Sequence, residues 1–92
     1  MAKITMTHPH TLPKETAKEK VNELFLKFKD RFGINLKWDG DTVKLSGSGF
    51  DGVAKVFDDK VDINVNLGLM VSAFKGQIES GLQEQLNKRL SA

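Results

Sequence analysis

The chain has no cysteine and no tyrosine, and only two prolines and one tryptophan among its 92 residues. Without cysteine there are no disulfides and no thiolate metal ligands, and the redox compartment leaves no trace. No apolar run approaches the ~18–20 residues needed to span a bilayer. The opening MAKITMTHPH carries one lysine and no apolar core, so it does not read as a secretory signal, and a cytoplasmic location is expected. An excess of one charge is also lacking: 14 basic and 12 acidic side chains leave a net charge of +2. The mild bias sits in residues 1–40, with eight basic and five acidic groups, against six and seven in residues 41–92. Those early lysines are interleaved with acids and have no aromatic platform beside them, so nucleic acid is not an expected partner.

Against those absences stands an ordinary globular composition, 39% hydrophobic and 28% charged. Residues 1–92 are expected to form one small domain around a single core. Lys3 to His8 alternates, with Ile4 and Met6 on one side and Lys3, Thr5 and Thr7 on the other, as a strand does. Pro9 lacks the N–H that a continuing ladder needs. A helix follows, with Thr11 as N-cap, Pro13 in the first turn and Glu15 at its positive end. Ala17, Val21, Leu24, Phe25, Phe28 and Phe32 fall on one stripe of a 3.6-residue period. Glu23 and Lys27 are placed to pair at i, i+4. Gly33 is expected to end the helix in the left-handed conformation.

Residues 35–68 read as four strands. A turn at Gly40-Asp41 sets Trp38 opposite Val43 and Leu36 opposite Leu45. A turn at Gly47-Ser48 would set Leu45 opposite Phe50, and one at Asp58-Asp59 sets Val56 opposite Val61 and Phe50 opposite Leu67. All three registers gather Leu36, Trp38, Val43, Leu45, Phe50, Ala54, Val56, Val61, Ile63, Val65 and Leu67 on one face. A one-residue slip would throw a strand onto the wrong face, so this agreement argues for an antiparallel meander. Val53 and Phe57 fall on the polar face and need another explanation. After Gly68 come the apolar residues 69–74, a helical turn or two, and then Ile78, Leu82, Leu86 and Leu90 at every fourth position. That spacing predicts a helix from about Gln77 toward Ala92, with Gly81 allowing close approach to the sheet. The expected fold is α+β, β-α-β-β-β-β-α, an antiparallel sheet with both helices on its apolar face. It resembles a reduced helix-grip arrangement. The first strand should lie at a sheet edge, beside either the last strand or the second.

Candidate chemistry is thin. His8 and His10 flank Pro9 and could face one side, but two imidazoles do not make a metal site, and strand-end histidines are the simpler reading. The aspartates at 39, 41, 51, 58 and 59 sit in turns, where their side chains favour turn geometry, and the rest of a calcium-loop pattern is missing. GSGFDG joins two strands and does not open a helix, so it is not a phosphate cradle. No catalytic set and no cofactor motif is visible, and an enzyme is not expected. Phe25, Phe28 and Phe32 with Leu69, Met70 and Phe74 could line a pocket between helix and sheet, though plain core explains most of them. Leu26, Val53 and Phe57 lie off the predicted core and could form a surface for a partner or ligand. An edge strand and Phe57 leave a homodimer open.

Three segments carry more than generic information: His-Pro-His-x-Leu-Pro at His8 to Pro13, Trp38-Asp39-Gly40-Asp41 with Gly49-Phe50-Asp51-Gly52, and Leu67-Gly68 with the later Ile78-Glu79. In this order, over nearly the whole chain, they resemble the polyhydroxyalkanoic acid system family, small bacterial proteins linked to storage-polyester granules. The resemblance implies an accessory or binding role, with the granule surface or granule-associated proteins as partners and a granule-associated place in the cytoplasm. A small carrier of a fatty-acyl or hydroxyacyl ligand in the helix–sheet pocket is the alternative. The resemblance carries over no catalytic residue.

Overall fold

The computed structural model describes residues 2–90 and follows the expected element order. The strands are β1 (Ala2–Pro9), β2 (Asn35–Asp39), β3 (Thr42–Gly47), β4 (Phe50–Val56) and β5 (Lys60–Leu67). The helices are α1 (Lys14–Phe32) and α2 (Lys75–Leu90), the latter led in by a 3-10 turn at Val71–Phe74. The five strands form one antiparallel sheet in the order β1-β5-β4-β3-β2. Of the two positions left open, β1 takes the one beside β5, with Ile4 opposite Val65 and Met6 opposite Ile63. Pro9 is the last residue of this edge strand, where its missing donor is harmless.

One face of the sheet is dry. Ile4, Val43, Ala54, Val56, Val61 and Ile63 are buried on it, and α1 covers it with Ala17, Val21, Leu24 and Phe25. α2 adds Leu82, Leu86 and Leu90 to the same core. The helices also meet through Arg89, whose guanidinium donates to Glu23 at 3.0 Å. The helix neighbour Lys27 was the expected partner of Glu23; the packing of α2 against α1 supplies a better-placed cation.

Two hairpin registers match expectation and one does not. Gly40 takes φ 62 in the β2–β3 turn, with Trp38 opposite Val43, and Val56 lies opposite Val61 across the β4–β5 turn. Between β3 and β4 the turn is Ser48-Gly49, so Leu45 faces Gly52 and Val43 faces Ala54. Gly49 takes φ 87, which an L side chain resists, and its carbonyl accepts the Gly68 N–H at 2.6 Å. Gly47 is then free to lie opposite Phe50, whose ring occupies the space that a Cβ would need. Relative to the expected Gly47-Ser48 turn the pairing moves by two residues, so every side chain keeps its face.

Helix α1 begins at Lys14, not after a Thr11 cap. Pro13 stands at the N-cap with φ −55 and ψ 145 and no side-chain cap bond. Leu12 precedes a proline, which disfavours the α conformation, and its N–H is taken by His10 Nδ1 at 3.2 Å. Gly33 closes the helix as expected, at φ 65, its N–H on the Lys29 carbonyl. Phe32 lies past the edge of the core and is half exposed. α2 starts at Lys75, two residues before the expected Gln77; Ser91 and Ala92 lie outside the described residues. Gly81 does not press against the sheet: a Cβ there would meet nothing within 4 Å.

The glycines separate into two energetic classes. A Cβ on Gly52 would lie 2.5 Å from the Asn64 carbonyl oxygen and 2.9 Å from the Val65 Cα, backbone atoms that cannot swing aside. Gly52→Ala should destabilise the protein by about 1–3 kcal/mol through overpacking. Gly81→Ala should stabilise it by up to ~1 kcal/mol, because it adds helix propensity at an open position. Urea midpoints of the two variants moving in the same direction would contradict this assignment.

Candidate functional site

His8 and His10 lie on the core side of the chain, continuing the face of Ile4 and Met6, but they do different jobs. His10 is buried at 6% exposure. Leu12 N–H donates to its Nδ1, so Nε2 carries the proton and donates to the Phe57 carbonyl at 2.9 Å. The His10 N–H donates to the Asp59 carbonyl. Both ring nitrogens are thus spent, Nδ1 within the β1–α1 connection and Nε2 joining it to the β4–β5 turn. His8 Nε2 meets Asn87 Oδ1 of α2 at 2.7 Å, and its Nδ1 is buried without a hydrogen-bond partner among the described residues. No three His, Cys, Asp or Glu side chains among the described residues come together in a way that could hold a metal ion.

The structure separates the sequence-selected apolar residues. Phe57 lies at the β4–β5 turn, beneath the ammonium groups of Lys55 and Lys60, each 5.2 Å from its ring centroid. That cation–π cover explains an aromatic off the core. Val53 stands in the middle of the outer sheet face, and Leu26 lies on the outward side of α1. Phe74 alone of these candidates joins Phe25, Phe28 and Phe32 at a common site.

That site is a cavity of about 280 Å³ where α1, α2 and the sheet diverge. The sheet contributes Leu45, Phe50, Val65 and Leu67, α1 its three phenylalanines, and α2 Ile78, Gly81 and Leu82. Sequence reasoning found the aromatics but not the sheet or α2 members, which read simply as core. Gly81 is in the lining with open space where a side chain would stand, the reverse of the close approach expected there. Among the described residues Gln77 is the one polar side chain in the lining. At the rim Phe32 and Phe74 are 49% and 54% exposed, and their positions at helix ends keep them from packing inward. Leu69 and Met70, at 79% and 86% exposure, do not line the cavity; they stand outside it on the loop that leads into the 3-10 turn. The Ser72 hydroxyl donates to the Leu69 carbonyl at 2.8 Å and the Ser72 N–H to the Gly68 carbonyl at 2.9 Å, which fixes that loop.

A family model described as "Putative polyhydroxyalkanoic acid system protein" matches residues 4–90. The chain belongs to this family. No curated protein and no solved structure matches it. Two of the segments that carry the family resemblance lie at joints, and the others reach the cavity, which Phe50, Leu67 and Ile78 help to line. His8 to Pro13 is the end of β1 and its connection to α1, and Trp38 to Asp41 is the end of β2 and its turn. Trp38 donates its indole N–H to Asn22 Oδ1 at 2.9 Å, with the Lys18 ammonium 5.7 Å from the ring centroid.

Asp41 completes this joint. Lys14 Nζ lies 3.0 Å and Lys18 Nζ 3.4 Å from its carboxylate, and Lys14 reaches Asp58 at 3.7 Å. The Lys14 hydrogen bond holds the Asp41 carboxyl below its ordinary value of 3.8, partly opposed by desolvation. Lys14 is raised above its ordinary 10.5, chiefly by its hydrogen bond to Asp41 and then by that carboxylate's charge. A depressed carboxylate stabilises the fold fully above its unfolded value and loses that contribution as pH falls through its folded value. A raised lysine contributes below its unfolded value and ceases to do so as pH rises through its folded one. The stability difference between wild type and Asp41→Asn should therefore be flat at neutral pH. It should shrink below pH 3.8 and again above pH 10.5, in chemical denaturation across the pH range. A difference that is independent of pH would show that the ion pair adds nothing.

Proposed function

We propose that the protein is a non-enzymatic binding component of the bacterial polyhydroxyalkanoate system that docks on the apolar polyester surface through the open end of its helix–sheet cavity. One observation carries the reading: Phe32, Leu69, Met70 and Phe74 are exposed large apolar side chains at the end of the fold where an apolar cavity opens. Scattered exposed leucines mean little, but apolar side chains gathered at the mouth of an apolar cavity mark a contact surface. Membership of the family supplies the partner class, a storage polyester with its associated proteins. Binding without catalysis is supported by the lining, in which Gln77 is the sole polar side chain among the described residues and offers neither nucleophile nor general base.

A second reading is favoured by the cavity itself: the protein carries a fatty-acyl or hydroxyacyl chain, with Gln77 at the mouth to meet its oxygen atoms. The volume of about 280 Å³ suits a single slender chain and falls just below the usual range for small-molecule sites, about 300–1,000 Å³.

Leu69→Ser/Met70→Ser separates the two readings from Gly81→Leu. Full burial of each exposed side chain is worth about 1.5–3 kcal/mol, so removing both should weaken co-sedimentation with polyhydroxybutyrate particles at least about tenfold. The thermal midpoint should stay unchanged, since neither side chain is packed. Gly81→Leu fills the cavity: it should spare particle binding but abolish the thermal shift given by 3-hydroxydecanoate if the chain carries acyl ligands. Undiminished sedimentation of the double variant would overturn the docking reading.

A further inference from the structure

The outer face of the sheet carries one line of side chains that the fold does not explain. Successive registers place Lys37 opposite Lys44, Lys44 opposite Val53, Val53 opposite Asn64 and Asn64 opposite Thr5. The line therefore runs Lys37–Lys44–Val53–Asn64–Thr5 across all five strands, with two ammonium groups side by side and no carboxylate. Directly opposed like charges in a sheet are destabilising. The flanking line shows the ordinary solution: Asp39, Thr42, Lys55, Asp62 and Thr7, where Lys55 lies opposite Asp62 and the Thr7 hydroxyl donates to Asp62 at 2.8 Å. On the other side Asp51 accepts from Asn66 at 3.0 Å. Among the described residues neither Lys37 nor Lys44 has a carboxylate within ion-pair distance.

Protection of a free sheet edge accounts for Lys37, which is on edge strand β2, but not for Lys44, which is on the interior strand β3. The two lysines also border an open furrow of about 730 Å³. Its lining adds Lys3 and the neutral donors Asn35, Ser46, Asn64 and Asn66; among the described residues Asp51 is its one carboxylate. Val53, the apolar residue that had no place on a polar face, is in the same furrow beside the lysine pair.

We propose that this furrow binds a small organic phosphate, with the phosphate dianion held between Lys37 and Lys44 and the apolar part of the ligand resting on Val53. Two cations on adjacent strands match a dianion, and on the same two strands the Asn35 amide and the Ser46 hydroxyl, paired across the hairpin, offer neutral donors to the remaining oxygens. The site lies on the sheet face opposite the cavity, so it is independent of polyester docking.

The test is a set of amide spectra of the whole protein titrated with AMP, inorganic phosphate and adenosine. AMP should shift the amides around Lys37, Lys44 and Val53, and the shifts should fade as salt is added. Inorganic phosphate should shift the lysine amides but leave Val53 unmoved; if it binds as tightly as AMP, the phosphate-binding site stands and free phosphate is its ligand. Adenosine should do nothing. Lys37→Asn and Lys44→Asn should each weaken AMP binding about tenfold or more, the loss of one charge-assisted contact. Both variants should also melt above wild type without ligand, because each removes a like-charge opposition. The proposal is overturned if AMP moves none of these amides, if both variants bind AMP as wild type does, or if adenosine gives the same shifts.

Discussion

Two helices cover one face of a twisted sheet, and the contact between those helices decides what the molecule can offer. Along most of its length the seam is closed. Leu82, Leu86 and Leu90 of α2 join the core that Val21, Leu24 and Phe25 of α1 share with the sheet, and Arg89 on Glu23 ties the helices at the rim. Apolar burial of this kind supplies most of the gain that must offset chain entropy in so small a domain. Where the seam opens, at Gly81, the same face becomes a cavity with an apolar rim. One structural constraint thus yields both the stable core and the candidate site.

The closed end and the open end are held by different physics. Around His10, Trp38 and Asp41 the joints are directional: ring nitrogens, an indole N–H and a carboxylate each find a named partner. Polar groups satisfied in this way, of which His10 is buried, are sensitive to geometry, so they specify how the β1–α1 connection and the β2–β3 turn sit. The cavity is bounded almost wholly by apolar side chains, which impose little orientation. The segments that identify the family contribute to both, to the joints through His10, Trp38 and Asp41 and to the cavity through Phe50, Leu67 and Ile78.

The two sheet faces differ as sharply. The inner face offers apolar contact at one end of the fold, and the outer face offers a furrow with paired lysines. The backbone of the sheet, with its side chains alternating, keeps the two chemistries apart, so a ligand on one face need not disturb contact on the other.

Alternation along the strands was legible from residues alone, and so was the face on which each side chain lies. This held even in the β3–β4 hairpin, where the turn moved from Gly47-Ser48 to Ser48-Gly49, because a shift of two residues preserves parity. The turn itself depended on Gly49 meeting Gly68, a contact across the fold that no local pattern reports. The same limit applied to β1, which chose β5 as neighbour, and to Glu23, which chose Arg89 over Lys27. At the candidate site the aromatics of α1 were visible as a stripe, but a stripe reads as core whether or not anything fills the space it faces. That Phe32 and Phe74 reach a rim, that Leu69 and Met70 stay outside, and that Gly81 leaves a gap are outcomes of how the helices diverge. Likewise the β2–β3 register read from the residues already sets Lys37 opposite Lys44, but only the assembled sheet brings Val53 and the furrow beside that pair. Periodicity is a property of neighbours in the chain and can be read there; cavities and furrows are properties of neighbours in space, and only the packed fold creates them.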